Sequence, residues 1–426
     1  MTIALFSATL LLTIAIGAPI AYALIVTGAA LMWQMGLFDG QILAQNIINS
    51  VDSFAMIAVP LFILAGEVMN AGGLSRRIIA LAQTLVGHRR GGLGYVAIFA
   101  GVLLSSLSGS ALADAASLSA LLLPMMIAAG HNRARAGGLI ASSAIIGPII
   151  PPSIGFIVFG VATNLSISKL FLAGITPGLM IALALAVTWF FVARNEDVAP
   201  TPKANWQERL AALVDSLWAL MLPVIIVVGL RFGVVTPTEA AAVAATYALF
   251  VALFIYRELK LSDLPALALR AGKVSAGVMF LVGAAAIPAW MIAIADIPGQ
   301  IVAMIGPFMD SPRLLVFVLM LIIIVVGTAM DLTPTILLLG PILVPVVIQA
   351  GVDPIYFGVL FMINGAIGLI TPPVGTVLNV VCAVGKLDYE ELFKGTMPFF
   401  VAQLFVLLLL VVFPELVTAP AQWISH

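Results

Sequence analysis

The sequence predicts an all-α polytopic membrane protein, built as two inverted repeats that each hold five spans, one re-entrant hairpin and a broken helix. Three observations carry that expectation. Of the 426 residues, 63% are hydrophobic and 9% charged, where a soluble domain has roughly 25% charged. Two apolar stretches are each interrupted by a double proline, Gly147-Pro148-Ile149-Ile150-Pro151-Pro152-Ser153-Ile154-Gly155 and Gly368-Leu369-Ile370-Thr371-Pro372-Pro373-Val374-Gly375, 221 positions apart (372 minus 151). Positive charge is divided unequally between alternate loops, as described below.

The double prolines break helices because each proline removes a backbone donor and clashes with the preceding turn. In hydrocarbon the freed carbonyls need partners, so such breaks persist only where they are buried or line a cavity. The offset of 221 also relates Pro124 to Pro345, Gly130 to Gly351, Gly137 to Gly358, Gly147 to Gly368, Gly174 to Gly395 and Pro177 to Pro398. With the prolines themselves, eight of the twelve Gly and Pro positions from 124 to 177 match without a gap. The chain has only 37 glycines and 25 prolines, so composition does not produce this agreement. Gly/Pro-interrupted segments at matching places in two halves point to the binding site of a secondary transporter.

The first repeat is residues 1–193. Apolar runs 3–16 and 19–34 break at Gly17-Ala18-Pro19 and read as two short helices, or as one long kinked helix. No basic residue precedes Arg76, so residues 3–16 lack a signal peptide's positive region and are expected to remain as a helix. Residues 52–71 form the next span. Residues 74–86, amphipathic and basic, suit a helix on the membrane surface. Residues 92–126 are apolar except at Ser105-Ser106-Leu107-Ser108-Gly109-Ser110, and both flanks are basic (Arg89, Arg90; Arg133, Arg135). Equal flanks put both ends on one side, which makes this a re-entrant hairpin. Broken helix 137–162 and span 174–193 follow.

Residues 194–212, with Arg194, Pro200, Pro202, Lys203 and Arg209, form a polar cytoplasmic linker. The second repeat, 213–426, holds spans 217–233, 237–256 and 274–295, a surface segment 297–309, hairpin 313–347, broken helix 355–384 and a last span 397–417. An odd number of crossings per half inverts the second half relative to the first. With the loops after 71, 126, 193, 256 and 384 inside, 15 of the 18 Lys and Arg are cytoplasmic, and Lys169, Arg231 and Arg313 lie outside. The second hairpin is flanked instead by Asp296, Asp310 and Asp353. This split sets the orientation.

Composition also excludes. A net charge of −1 selects no nucleic acid or other charged partner. One cysteine, Cys382, leaves no internal disulfide and no metal site. His88, His131 and His426 do not cluster and read as solvated loop residues. No nucleophile–base pair or metal motif is present, and no Gly-rich segment ends in Lys-Ser/Thr. That argues against an enzyme, against a cofactor and against an ATP-driven pump.

The breaks leave carbonyls, hydroxyls and half-helix ends near mid-membrane, where N-termini suit carboxylates and unwound carbonyls suit sodium. Ser105, Ser106, Ser108, Ser110 and Asp114 supply oxygen in the first hairpin; Thr328, Asp331, Thr333 and Thr335 do so in the second. Hard cations take such ligands. Ser/Gly-rich breaks also serve as helix-packing contacts, but four in repeat register favour ion ligation. Intramembrane acids are functional candidates, chiefly Asp114 and Asp331. Glu67, Glu239 and Asp52 lie near span ends and read as interfacial carboxylates. Asn164 and Asn379 suit substrate binding or capping. Asp114, Ser153, Thr376 and Asn379 are the candidates for contact with substrate.

Several motifs together carry a resemblance. Pro60-Leu61-Phe62-Ile63-Leu64-Ala65-Gly66, Met69-Asn70-Ala71-Gly72-Gly73, Ser105-Ser106-Leu107-Ser108-Gly109-Ser110-Ala111 and both double-proline segments resemble the large permease subunit of TRAP (tripartite ATP-independent periplasmic) transporters, DctM type, within the ion-transporter superfamily. The resemblance implies a multi-pass permease of the bacterial inner membrane, driven by a sodium gradient. It implies two partners: a small four-helix membrane subunit of DctQ type, expected as a separate chain, and a periplasmic substrate-binding protein. The implied fold is an elevator, with a scaffold and a moving domain that carries both hairpins. The implied coupling ion is Na+. One implied site uses Ser106, Ser108, Gly109 and Ser110 with Gly147, Ile150 and Pro151. The other uses Gly327, Thr328 and Asp331 with Gly368, Thr371 and Gly375. The implied substrates are small organic acids (C4-dicarboxylates, keto and sugar acids, sialic acid) or compatible solutes such as ectoine. A stand-alone sodium/divalent-anion symporter is the alternative, and a channel a further one.

Overall fold

The computed structural model describes residues 2–194, 196, 198, 202–304, 306 and 311–425. Pro200 of the linker, Asp310 beside the second hairpin and residues 305 and 307–309 of the expected surface segment lie outside them. The described chain is helical: α1 Thr2–Ala15, α2 Ile20–Gln34, α3 Gly40–Val51, α4 Ala58–Ala71, α5 Leu74–Val86, α6 Gly92–Ser108, α7 Ala111–Ala128, α8 Arg133–Ala144, α9 Ile154–Thr163, α10 Ile167–Ala193, α11 Trp206–Arg231, α12 Pro237–Phe250, α13 Leu264–Ile294, α14 Ile297–Met304, α15 Pro312–Ala329, α16 Leu332–Gln349, α17 Pro354–Gly368, α18 Thr376–Gly385, α19 Tyr389–Val412 and α20 Glu415–Ser425. Among the described residues, nine helices are long and apolar enough to cross a membrane, and six shorter apolar helices accompany them.

Helix ends follow local chemistry. Asn205 with Glu208, and Thr236 with Glu239, form reciprocal capping boxes at the starts of α11 and α12. They satisfy donors that helix starts leave unpaired. Asp353 and Asp388 accept the first backbone N–H groups of α17 and α19. Glu239 thereby serves as a cap. The N-terminal runs form two short helices packed on each other, separated at Gly17, whose φ of 84° ends α1.

The helices form two groups. In the frame, α13 packs on α2, α3 and α4, α12 packs on α4, and α11 packs on α5. In the hairpin group, α6–α7 and α15–α16 are helical hairpins. The first lies on α8 and the second on α17. The outgoing arms exchange partners: α7 packs on α18, and α16 on α9. α8 lies on α19, and α17 on α10. The halves therefore interlock and neither closes a core alone.

Three differences from the sequence reading have physical causes. α5 forms where expected, but its apolar face (Ile78, Ile79, Leu81, Ala82) is buried against α6 and α11 and is not free for lipid. Its start is fixed by Glu258, which bonds Arg76 at 2.9 Å and Arg77 at 2.6 Å. Arg77 also reaches Asp215 at 3.2 Å and stacks 3.8 Å over Tyr256. α3 and α20 were not foreseen; α3 has too few apolar positions to span and instead lays Ile47 and Val51 against Gly283 of α13.

The third concerns His131, which is buried and not solvated. Its Nδ1 pairs with Glu196 Oε2 at 2.6 Å, and its ring lies 5.3 Å from that of Trp189. Arg135 stands 3.6 Å from the other carboxylate oxygen, while Arg90 donates to the carbonyls of Arg194 and Glu196. The start of the linker is strapped to the base of the first hairpin. Burial works against the Glu196 charge, but the His131 hydrogen bond, the His131 charge, the Asn132 N–H and Arg135 together hold its carboxyl below the usual range.

Every ion pair among the described residues lies within one group. Arg76, Arg77, Asp215 and Glu258, and Arg270 with Glu67, belong to the frame. His131, Arg135 and Glu196, and Lys394 with Glu390, belong to the hairpin group. Between the groups, the side-chain hydrogen bonds among the described residues are Ser117 to Asn70 at 3.3 Å and Gln83 to the Met125 sulfur at 3.6 Å.

Two predictions follow from this packing. Where α8 crosses α19, a Cβ on Gly138 would lie 2.6 Å from the Thr396 nitrogen and 2.7 Å from the Gly395 carbonyl carbon. Gly138→Val should lower the unfolding temperature in detergent, at about 1–3 kcal/mol for overpacking. Gly277→Ala, where a Cβ meets nothing within 4 Å, should be neutral or gain up to ~1 kcal/mol. Equal loss in both variants would remove the crossing as the cause. For the strap, a lowered carboxyl adds stability above its ordinary range, and that stability is lost as pH falls through the lowered value. Glu196→Gln should thus unfold earlier than wild type at neutral pH, with the gap closing in strong acid.

Candidate functional site

α6 ends at Ser108 because Gly109, at φ 60°, takes the left-handed position that terminates helices. Ser110 is extended and caps α7 by accepting from the Ala113 N–H at 3.5 Å. The tip then folds onto itself. Ser108 donates to Asp114 Oδ1 at 2.6 Å, and the Ser110 N–H donates to Ser108 Oγ at 3.1 Å. Asp114 is 2% exposed, and its Oδ2 has no hydrogen-bond partner. A Cβ on Gly147 would lie 2.6 Å from that oxygen and 3.2 Å from the Ser110 carbonyl carbon. The bare glycine lets the interrupted helix approach the tip.

α8 stops at Ala144, and the segment to Ser153 runs through a cis Pro151–Pro152 peptide. Among the described residues, no donor reaches the carbonyls of Gly147, Ile150, Pro151 or Pro152. Gly109 packs against the Pro152 carbonyl and Ser153 Cα. Of the residues expected here, Ser108, Gly109, Ser110 and Gly147 meet at the tip with Asp114. Ile150 and Pro151 lie buried in the turn. Ser106, like Ser105, returns its hydroxyl to its own helix, at Leu103 O, 2.7 Å away.

The second centre uses the same parts. A Cβ on Gly368 would lie 2.8 Å from the Gly327 carbonyl oxygen, so these two glycines bring α17 against the tip of α15. The segment from Leu369 to Gly375 contains the cis Pro372–Pro373 peptide. Among the described residues, no donor reaches the carbonyls of Ile370, Thr371, Pro372 or Pro373. The Val374 N–H donates to Thr328 O at 3.3 Å, and Thr376 donates to Asp331 Oδ1 at 3.5 Å. The Thr371 hydroxyl is turned to Ile367 O at 2.8 Å. Gly375, at φ 51°, starts α18 with the Tyr389 hydroxyl beside it. The centres differ in cover: Pro151 and Pro152 are buried, whereas Pro373 and Val374 are exposed.

The four substrate candidates fall in different settings. Asp114 faces the first turn. Ser153 is fully buried and caps α9, donating to Pro148 O at 2.6 Å and accepting from the Phe156 N–H at 3.2 Å. Thr376 faces Asp331. Asn379 is exposed and donates to Val374 O at 2.7 Å. Asn164 ends α9 at φ 55° and lines a cavity of ≈ 340 Å³ between the groups, opposite Asn49, Ser50 and Ser53. Those three and Tyr389 were missed, because a lone polar residue at a helix end has no signature in sequence. Glu67 is paired with Arg270 at 3.3 Å.

Hairpins aimed at interrupted helices within an all-helical, multiply spanning chain define a class: a polytopic membrane protein with carrier architecture. The family model described as "Tripartite ATP-independent periplasmic transporter, DctM component" matches residues 7–416. The chain belongs to that family and is the large permease subunit of a secondary transporter. The family is one of permeases and not of enzymes, and it implies a small membrane subunit and a periplasmic binding protein as partners. Among its relatives, the 2,3-diketo-L-gulonate TRAP transporter large permease protein of Escherichia coli is 52% identical over all of both chains. The sialic acid TRAP large permease of Vibrio cholerae is 38% identical over 94% of this chain and 93% of its own. The C4-dicarboxylate TRAP large permease of Pseudomonas aeruginosa is 36% identical over 90% of each. The YdaH transporter of Alcanivorax borkumensis shares the fold at a TM-score of 0.62 and 15% identity, over 88% of this chain and 89% of that one.

Asp114→Asn tests the first centre. The amide oxygen can still accept from Ser108, so the tip should fold and insert normally. If the centre holds the coupling ion, as proposed below, an amide offers it a weaker oxygen donor than a carboxyl group that can ionise, so transport should fall at least tenfold at limiting cation and recover partly at high cation. Unchanged cation dependence in the folded variant would remove Asp114 from the centre.

Proposed function

We propose that this permease takes up a small organic acid, delivered by the periplasmic binding protein, across the bacterial inner membrane and couples it to sodium. The observation that carries the coupling is the buried Asp114 carboxylate, whose unpartnered Oδ2 adjoins a turn with free carbonyls. A carboxyl oxygen without a partner, a serine hydroxyl and unpaired carbonyls side by side are the oxygen donors a hard cation takes. An uncompensated buried charge is costly, and a bound cation would offset it. The first sodium set is Ser108, Gly109, Ser110, Gly147, Ile150 and Pro151 with Ser106 behind them; Asp114 joins it. The second is Gly327, Thr328, Asp331, Gly368, Thr371 and Gly375.

The full-length similarity to a 2,3-diketo-L-gulonate permease favours a sugar-derived keto acid within the organic-acid class. Thr376 and Asn379, at the more exposed second centre, are the substrate contacts we favour. Offset Gly and Pro positions support two inverted repeats, 1–193 and 213–426. The basic loops support a cytoplasmic linker. An elevator motion of the hairpin group against the frame is supported by the absence of ion pairs between them among the described residues and by the cavity at Asn164.

Reconstitution with both partner proteins tests the reading. Uptake should cease when external sodium is replaced by potassium at fixed pH. Uptake driven undiminished by a pH gradient would overturn sodium coupling. Uptake by this chain without the binding protein and small subunit would overturn the tripartite reading.

A further inference from the structure

α10 and α19 leave an apolar groove of ≈ 610 Å³ on the outside of the hairpin group, walled by Met180, Leu183, Val187, Val401 and Phe405. Most of these side chains are exposed. One turn beyond Val187 the same helix lines a second cavity, of ≈ 310 Å³, with Phe190 and Arg194. Arg89, Arg90 and Tyr95 from the start of the first hairpin complete it. Three arginines and two aromatic residues therefore line one small volume.

These arginines are not used up by the protein. Arg90 is held by the carbonyls of Arg194 and Glu196. Among the described residues, neither Arg89 nor Arg194 has an ion-pair partner. The nearby Glu196 carboxylate is turned away, toward His131 and Arg135. The spacing also has a meaning. From Met180 to Arg194 is about 21 Å along a helix rising 1.5 Å per residue, a little more than the roughly 15 Å of hydrocarbon in one leaflet. Basic pockets at helix ends, on the side where positive loops gather, suit the headgroups of anionic lipids.

We propose that this face of the hairpin group binds one anionic glycerophospholipid of the cytoplasmic leaflet, with its phosphate at Arg89 and Arg194 and an acyl chain in the groove between α10 and α19. The site takes only its orientation from the proposed function and does not depend on sodium coupling. An unpartnered apolar groove alone accepts any lipid tail; the arginines select the charge. Arg90, already held by backbone carbonyls, positions the pocket.

The test uses the full chain in nanodiscs of phosphatidylcholine with or without phosphatidylglycerol. Retained phosphatidylglycerol is counted by mass spectrometry after washing, and unfolding temperature is read in parallel. Wild type should retain phosphatidylglycerol and be stabilised by it. Arg89→Gln combined with Arg194→Gln should bind it roughly thirtyfold more weakly, from the loss of two surface cations. Ala184→Phe with Ala402→Phe, which fills the groove, should also reduce retention. If the double glutamine variant unfolds, Arg89→Gln alone should show an intermediate loss. Equal retention in all variants, or equal stabilisation by phosphatidylcholine, would overturn the site. Equal protection by inorganic phosphate would assign the pocket to a free anion and overturn the lipid. Retention is read without transport, so a failure of sodium coupling leaves it untouched.

Discussion

The structure depends on how a membrane protein covers backbone that is not helical. Hydrocarbon offers no hydrogen bonds, so a turn inside it has to be enclosed by protein. The segments 145–153 and 369–375 are each met by a hairpin tip at a glycine of the interrupted helix, the first buried throughout and the second left partly open. Hairpin and break are therefore one device. Without the hairpin tip the turn would lose its cover, and without the turn the tip would have nothing to close upon.

That closure sets the residue types. At Gly147 and Gly368 the missing Cβ is what lets tip and turn touch, since the nearest atoms would be the Asp114 carboxylate and the Gly327 backbone. The two centres then diverge. The first is stitched by side chains, Ser108 to Asp114, and sealed by Gly109 against Pro152. The second is tied by backbone, Val374 to Thr328, and stays partly open. Related segments thus present one deeply buried carboxylate and one accessible surface.

Much of this was legible in the sequence, for a physical reason. Prolines, glycines and hydroxyls break apolar runs so sharply that hairpins and interrupted helices announce themselves, and the cap residues Ser110 and Ser153 lie inside the motifs. What could not be read was contact. His131 looks like a loop residue because its partner, Glu196, comes 65 positions later, and nothing local ties them. The apolar face of α5 suggested lipid because a lipid-facing stripe and a protein-facing stripe have the same period. α3 went unseen because its packing is decided by Gly283 of α13. Asp114 reads from sequence both as a tip oxygen for a cation and as a substrate candidate; its position against Gly147 emerges only when α7 and the turn after α8 are folded together.

The placement of charge completes the argument. Removing one partner of a buried pair leaves an uncompensated charge, at a cost of several kcal/mol. Two packed bodies that slide past one another would meet that cost in every cycle if charge pairs crossed their interface. Here the paired charges brace the frame at its α5–α11 corner and strap the linker to the hairpin group. The described interface between the groups has apolar packing, two side-chain hydrogen bonds and a cavity. In the proposed motion each body stays stiff because its strong pairs are internal, and the surface between them can move because little that is directional has to break. The strap at Glu196 belongs to the same pattern: its bonds to His131, Arg135 and Arg90 fix the start of the linker to the hairpin group and not to the frame.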